Sequence, residues 1–284
     1  MPLLSELFDD VFVINLRESD DRWRHAEAVL SSIGVARPTR VDAVDGRSLG
    51  EEGLKRLQDG GTIAKDISGF RARRRLPEIG CAASHVAALR EVVERRLPRA
   101  LIFEDDVDLP CAPAEWTARM KRAVEGLPES WQLWYLYRDL DVEHRVRRLS
   151  ESTVIPWNPK GTSAYAVTLA GAELLLGAVL PVGVPIDRAF VGAIRSSNIE
   201  VYASSPALFS AGALPSVINR RTAPGGNMRA GSHLHPEYQS RWRAAWSGNP
   251  PPHSWGLRLQ VGVSRARSRL RRRLRRWLHA RRGG

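Results

Sequence analysis

The residues with the clearest chemical potential are three consecutive carboxylates, Glu104, Asp105 and Asp106. They follow an apolar run in the segment 101–109, Leu-Ile-Phe-Glu-Asp-Asp-Val-Asp-Leu, which fits a short buried strand of an α/β sheet. The acids then fall at the C-terminal end of that strand, where open α/β sheets bind ligands. Adjacent carboxylates repel one another and favour a bound cation, and hard oxygen ligands favour Mg²⁺ or Mn²⁺, ions that commonly bridge to phosphate. The alternative is a solvated acidic turn.

Strands and helices alternate in the sequence around these acids. Residues 11–16, Val-Phe-Val-Ile-Asn-Leu, predict a first strand, and residues 20–33 carry apolar side chains at helical spacing. A long helix is predicted over 79–97 and ends at Pro98, directly before the acidic strand. This β–α–β alternation predicts an α/β fold with a central sheet.

Length and composition are those of a globular protein. The 284 residues can bury a sizeable core, and 43% hydrophobic with 26% charged residues is an ordinary balance. Cys81 and Cys111 are too few for a disulfide framework, which favours two reduced thiols. Residues 1–6 lack the basic start of a secretory signal. The longest apolar stretch, 174–186, is broken by Gly and Pro and is shorter than the ~20 residues of a spanning helix.

Positive charge is concentrated at the C-terminus. The formal net charge is +12, yet residues 256–284 hold eleven arginines and no acid, so that 32 basic and 31 acidic residues precede them. This pattern predicts a basic amphipathic helix on an anionic membrane surface. Nucleic-acid binding is the less favoured alternative, since the body shows no basic patch with interleaved aromatics, and a solvated disordered tail is the third. Its apolar positions recur at helical spacing: Val263, Ala266, Leu270, Leu274, Trp277 and Leu278.

Four segments together resemble glycosyltransferase family 25, the lipopolysaccharide-type galactosyltransferases related to collagen galactosyltransferase. The most specific is the Gly-Cys-x-x-Ser-His string followed by Glu-Asp-Asp. The resemblance spans about residues 11–217 and is carried by 11–16 with Arg22, by 77–85 (Pro-Glu-Ile-Gly-Cys-Ala-Ala-Ser-His), by 101–107, and by 161–165 leading through 171–172 to 185–187.

The resemblance implies a GT-A-like nucleotide-sugar transferase fold with a central mixed sheet. It further implies an inverting hexosyltransferase that uses a UDP-sugar, UDP-galactose in the first place, and a saccharide or lipid-linked saccharide acceptor. A cell-envelope glycan such as lipopolysaccharide is the acceptor class it suggests. Such a reaction needs a divalent ion, Mn²⁺ or Mg²⁺, opposite the departing diphosphate, and a general base for the acceptor hydroxyl.

By the same resemblance, the three carboxylates have separate roles. Asp106 is the metal ligand, Asp105 contacts the nucleotide ribose or the metal's surroundings, and Glu104 orients the pair. For Glu104, an acid at the sheet edge without any ligand is the alternative.

Four further residues are assigned to donor binding. Asn15 and Arg22 flank the C-terminal end of the first strand, where the nucleotide base binds in such folds. Ser84 and His85 are expected in the first turns of a helix, where free N–H groups and a hydroxyl can meet a phosphate or a uracil edge. The alternatives are a surface charge for Arg22 and a core histidine for His85.

Asp187 is the candidate general base. It follows a Pro- and Gly-rich break and stands beside apolar Ile186 and Phe190, surroundings that can raise the pKa of a carboxyl group. The alternative is an N-cap for a helix over 188–195, and the two roles are compatible.

These expectations define two regions. Residues 1–255 are predicted to form the transferase domain, and residues 256–284 the basic tail that holds the cytoplasmic protein on the inner face of the membrane. His233 and His235 could supply a further metal ligand or be loop histidines.

The rival function is a non-catalytic membrane- or nucleic-acid-binding protein on a degenerate transferase fold.

Overall fold

A mixed β-sheet of eight strands organises the computed structural model, which describes residues 3–138 and 146–211. Within these residues the strands are β1 (Asp10–Asn15), β2 (Thr39–Asp42), β3 (Arg99–Glu104), β4 (Val107–Asp108), β5 (Leu133–Tyr135), β6 (Arg147–Arg148), β7 (Thr153–Ile155), β8 (Ala164–Thr168), β9 (Val201–Ser204) and β10 (Ser210–Ala211). The helices are α1 (Leu3–Leu7), α2 (Asp20–Ser32), α3 (Gly50–Asp59), α4 (Arg75–Glu94), α5 (Pro113–Glu125), α6 (Leu169–Val179) and α7 (Ile186–Ser196).

The strand order in the large sheet is β2-β1-β3-β8-β5-β9-β7-β6. Strand β1 lies at the centre of a parallel trio with β2 and β3, whereas β8 runs antiparallel to both β3 and β5. Strands β4 and β10 form a separate antiparallel pair. The predicted α/β class with a central mixed sheet is therefore confirmed.

Side-chain alternation along β1 explains why both faces of the sheet are covered. Phe12 and Ile14 face a core built with α4, α6 and α7, and Val11 and Val13 face a second core built with α2 and α5. A strand buried on both faces reads as a continuous apolar run, as the sequence does here. Each fully buried side chain of this kind contributes about 1.5–3 kcal/mol.

Two glycines let helix α4 approach the loop that follows β2. A Cβ on Gly80 would lie 2.5 Å from the carbonyl oxygen of Val44, and a Cβ on Gly46 would lie 2.0 Å from that of Leu76. Any side chain at either position would push the loop and the helix apart. This close approach forms one wall of the pocket described below.

Helix α4 begins at Arg75, four residues before the predicted start at 79. Pro77 lies in its first turn, where proline fits because the N–H it lacks would have no helical partner. Ser84 and His85 therefore lie in the third turn. The expectation that they stand among free N–H groups at the helix start is wrong.

Several predictions concern residues outside those that the structure describes. These are the tail 256–284, the boundary at 255, the resemblance beyond 211, and His233 with His235. Within the described part of the chain, no helix has the length and apolar character needed to cross a membrane.

Candidate active site

A pocket of about 670 Å³, counted to its open mouth, lies at the C-terminal ends of β1 and β3. Its walls come from these strand ends, from α2, from the loop 43–47 and from α4. Glu104, Asp105 and Asp106 all line it. The prediction that the three acids lie at the end of a buried strand is confirmed.

Asp105 is held by two neighbours from the first β–α unit. Asn15, the last residue of β1, is buried and donates from Nδ2 to Oδ2 of Asp105 at 2.6 Å. Arg22, in the first turn of α2, donates from Nε to Oδ1 at 2.8 Å, and its terminal nitrogen also contacts Oδ1. Burial would lower the pKa of Arg22, but the hydrogen bond and charge of Asp105 outweigh it and raise that pKa. Asp105 is thus held in one orientation by these two neighbours.

Asp106 is the least satisfied of the three acids. Its Oδ1 is buried and has no hydrogen-bond partner among the described residues. Its Oδ2 lies 3.6 Å from a terminal nitrogen of Arg22, and the side chain is only 15% exposed. Burial, and then the charge of Glu104, raise the pKa of Asp106 to about 7. A nearby cation stabilises the ionised form of such a buried carboxyl group.

Glu104 belongs to a hydrogen-bonded chain with α4 and β8. His85 Nε2 donates to Glu104 Oε1 at 3.2 Å, and the hydroxyl of Tyr165 lies 3.2 Å from the opposite ring nitrogen, Nδ1. Thr162 Oγ1 donates to the same carboxylate oxygen at 3.0 Å. Burial alone would raise the pKa of Glu104, but the hydrogen bonds from His85 and Thr162 lower it. His85 is fully buried, so it supports the strand end as a core histidine would, and it also lines the pocket.

The Ser84 hydroxyl connects α4 to the loop 43–47. It donates to the carbonyl oxygen of Gly80 at 2.7 Å and accepts from the amide of Val44 at 2.8 Å. Ser84 is 2% exposed and lies on the pocket wall. The structure thus gives this side chain a positioning role, and its contact with a donor stays a prediction.

Asp187 is the second residue of α7, and Pro185 takes the N-cap position. The N-cap alternative is therefore wrong, because the helix starts two residues before the predicted 188. Oδ1 of Asp187 accepts the amide of Arg188 at 2.8 Å. Asp187 is not among the residues that line the pocket. Its negative charge nevertheless acts on the pocket residue Cys81, together with Glu104.

Sequence reasoning gave no role to Tyr165, Thr162 or Cys81. Tyr165 and Thr162 lie in a segment quoted for the resemblance, but only the antiparallel pairing of β8 with β3 brings them to Glu104. Cys81 lies one helical turn before His85. The ligand atoms of Cys81, His85 and Glu104 all lie within 4.8 Å of one another.

Comparison with known proteins gives a family match over the body of the chain. Residues 8–190 match the model of glycosyltransferase family 25, described as an LPS biosynthesis protein. All eight predicted site residues fall inside this match.

Two human relatives are similar to the same part of the chain. Inactive glycosyltransferase 25 family member 3 is 36% identical over 183 residues, 60% of this chain and 29% of the relative. Procollagen galactosyltransferase 2 is 30% identical over 195 residues, 64% of this chain and 29% of the relative. The chain thus spans about three tenths of the length of these curated relatives.

Among solved structures, the mannose-1-phosphate geranyltransferase of Thermus thermophilus aligns with a TM-score of 0.35 and 11% identity. That alignment covers 69% of this chain and 72% of the other. A TM-score this low does not establish a shared fold, so the α/β class rests on the sheet itself.

Proposed function

Because this chain belongs to glycosyltransferase family 25, we propose that it is a metal-dependent, inverting glycosyltransferase. It moves a hexose, galactose in the first place, from a UDP-sugar to a saccharide acceptor of a cell-envelope glycan such as lipopolysaccharide. The relative named procollagen galactosyltransferase 2 supports a galactosyl donor, and the family description as an LPS biosynthesis protein supports the acceptor class.

One observation carries this proposal: an accessible pocket gathers three carboxylates beside the guanidinium of Arg22. Arg22 contacts Asp105 and lies 3.6 Å from Asp106, which leaves the acidic edge with an excess of negative charge when all three acids are ionised. The buried Oδ1 of Asp106 has no hydrogen-bond partner among the described residues. A cation bound there would offset the repulsion between the carboxylates most effectively.

The donor set fits a hard divalent ion. Asp106 would hold Mn²⁺ or Mg²⁺ through carboxylate oxygen, the ligand type these ions prefer, with Asp105 beside it. When bound, such an ion supplies positive charge opposite a diphosphate leaving group.

The chain's own residues would provide position and proton transfer. Asn15 and Arg22 fix Asp105, so that the acidic edge meets the nucleotide in one geometry. His85 and Thr162 fix Glu104 in the same way. Because these groups are already oriented, no free energy is needed to reorganise them during the reaction.

Asp187 is the proposed base for the acceptor hydroxyl. Its half-buried carboxylate lies at the start of α7, and its charge reaches the pocket wall at Cys81. A carboxylate accepts the proton as the hydroxyl oxygen attacks the sugar carbon, a contribution of about 10²–10⁴ in rate.

A non-catalytic protein on the same fold is the second candidate, because one similar protein is named as inactive. The intact Glu104-Asp105-Asp106 edge supports the enzyme instead. Only the enzyme predicts turnover of a nucleotide sugar.

A donor screen separates the two. The full-length protein with Mn²⁺ is incubated with a panel of nucleotide sugars, and UDP release and the shift in Tm are recorded. A donor at a hundred times its Kd stabilises the fold by about 2.7 kcal/mol. The proposal expects the largest UDP release and a Tm shift with UDP-galactose. A Tm shift without UDP release or transfer, whatever the donor and acceptor, would favour the non-catalytic candidate.

The C-terminal tail is proposed as the membrane contact. It carries eleven of the twelve net positive charges and apolar residues at helical spacing that include Trp277. This pattern suits an anionic surface on the inner, cytoplasmic face of the membrane. Nucleic acid is not a proposed partner. This segment lies outside the described residues, so the proposal rests on sequence alone.

A further inference from the structure

We propose that Cys81, His85 and Glu104 form a binding site for a thiophilic divalent ion, Zn²⁺, on the α4 wall of the pocket. The site is chemically distinct from the carboxylates of Asp105 and Asp106, since it combines one sulfur, one imidazole nitrogen and one oxygen. The proposal does not depend on the transferase activity.

The spacing of the three side chains suits tetrahedral coordination. Zinc bonds of about 2.0–2.3 Å place neighbouring ligand atoms about 3.4–3.8 Å apart. His85 Nε2 and Glu104 Oε1 are already 3.2 Å apart, and the whole set lies within 4.8 Å. The largest of these separations therefore exceeds the tetrahedral spacing by no more than about 1 Å.

Two rigid elements hold the set together. Cys81 and His85 are four residues apart on α4, so their side chains lie on the same face of the helix. Glu104 is the last residue of β3, a strand paired on both sides. Three ligands from a helix and a central strand end are more precisely placed than ligands from a loop.

Neighbouring polar groups orient two of the ligands. The hydroxyl of Tyr165 lies 3.2 Å from Nδ1 of His85. When the ring proton is on Nδ1, it is donated to the Tyr165 oxygen. Nε2 then has a free lone pair for the metal. Thr162 holds the carboxylate of Glu104. Hydrogen bonds of this kind to the opposite nitrogen of a histidine, and to a ligating carboxylate, accompany most protein metal sites.

The electrostatic surroundings favour a cation at this place. Burial raises the pKa of the Cys81 thiol, and the charges of Glu104, Asp187, Glu78 and Asp106 raise it further. Zinc binding forms a Zn–S bond as the thiol proton passes to solvent, so the charge of the ion replaces a proton in the negative field of these acids. Cys81 and His85 both line the pocket.

Ligand softness separates this site from the acidic edge. Thiolate and imidazole select Zn²⁺ over Mg²⁺, whereas carboxylates alone suit Mg²⁺ and Mn²⁺. The three ligands also leave a fourth coordination position for water or for a group bound in the pocket.

The test uses the full-length protein and Co²⁺ as a spectroscopic substitute for Zn²⁺. A thiolate ligand gives a charge-transfer band in the near ultraviolet that imidazole and carboxylate ligands do not give. The sequence contains two cysteines, so Cys81→Ser and Cys111→Ser form a matched pair. The proposal expects the band in the wild-type protein and in Cys111→Ser, its loss in Cys81→Ser, and its removal by Zn²⁺. No band in the wild-type protein, or a band that survives in Cys81→Ser, overturns it.

A second measurement needs no substitution at the site. Alkylation of each thiol is followed by mass spectrometry with Zn²⁺, with Mg²⁺ and without metal. Zn²⁺ is expected to slow modification of Cys81 at least tenfold and to leave Cys111 unchanged, whereas Mg²⁺ protects neither. Equal rates at Cys81 with and without Zn²⁺ contradict the proposal. Asp106→Asn is expected to keep the protection by Zn²⁺, which separates this site from the proposed Mn²⁺ site.

Discussion

Replacing Arg22 by methionine removes the guanidinium that contacts the acidic edge and keeps a good helix former of similar length. The Arg22 and Asp105 side chains are 14% and 11% exposed, so the change leaves a buried carboxylate without its ionic partner. Breaking a buried pair in this way costs about 3–5 kcal/mol. Because Asn15 still donates to Asp105, we expect the lower end, about 3 kcal/mol of unfolding free energy.

Arg17→Met is the matched control, since Arg17 pairs with Asp42 at the surface with 79% and 52% exposure. Solvent screens an exposed pair, so its loss should change the unfolding free energy far less than the loss of the buried pair. Urea unfolding of both variants without metal measures the contrast. Adding Asp105→Asn to Arg22→Met should restore part of the lost stability, because the unpaired charge is then absent. If Arg22→Met lost no more stability than Arg17→Met, the view that Arg22 neutralises a buried acid would be refuted.

Three further predictions concern turnover, membrane contact and pH. Asp187→Asn should lower turnover at least about a hundredfold and leave UDP affinity unchanged, which initial rates and UDP titration measure; an equal loss of UDP affinity would place Asp187 in the donor site or the core. Deleting residues 256–284 should release the protein from anionic vesicles in co-sedimentation while transfer to a soluble acceptor persists. Binding of the intact protein to RNA but not to vesicles would contradict the membrane contact. Between pH 8 and pH 6, apparent Mn²⁺ affinity should fall about tenfold in calorimetry, because protons compete for Asp106, whose pKa is raised to about 7; a constant affinity would contradict that assignment.

The sequence was sufficient to predict the first β–α–β unit and the place of the acids. Strand β1, helix α2 and strand β3 lie within one or two residues of their predicted bounds. The strands are defined by apolar runs, and the helix is defined by apolar residues at helical spacing and ends just before Gly34. The acids follow β3 in the chain, so their position at the sheet edge needs no long-range information. The family resemblance, which rested on this region and on the segments 161–165, 171–172 and 185–187, is confirmed by the match over residues 8–190.

The surroundings of His85 could not be predicted, because they depend on strand pairing between distant segments. Strand β8 inserts antiparallel between β3 and β5, and only this register brings Tyr165 and Thr162 to the acidic edge. The apolar pattern along β8 indicates that the strand is buried, but it does not indicate which strands pair with it. The role of Ser84 depends in the same way on the close approach of Val44, which Gly46 and Gly80 permit.

The central claim is that Asp106 holds the divalent ion through which a UDP-sugar binds, and calorimetric UDP titration with and without Mn²⁺ tests it most directly. Asp106→Asn keeps the shape of the side chain and removes its charge. Asp108→Asn is the control, since Asp108 is a nearby acid that does not line the pocket. We predict that Mn²⁺ strengthens UDP binding in the wild-type protein and in Asp108→Asn. Asp106→Asn should lose most of this gain, where each tenfold change in Kd corresponds to about 1.4 kcal/mol of binding free energy. An unchanged Mn²⁺-dependent gain in Asp106→Asn would contradict the account.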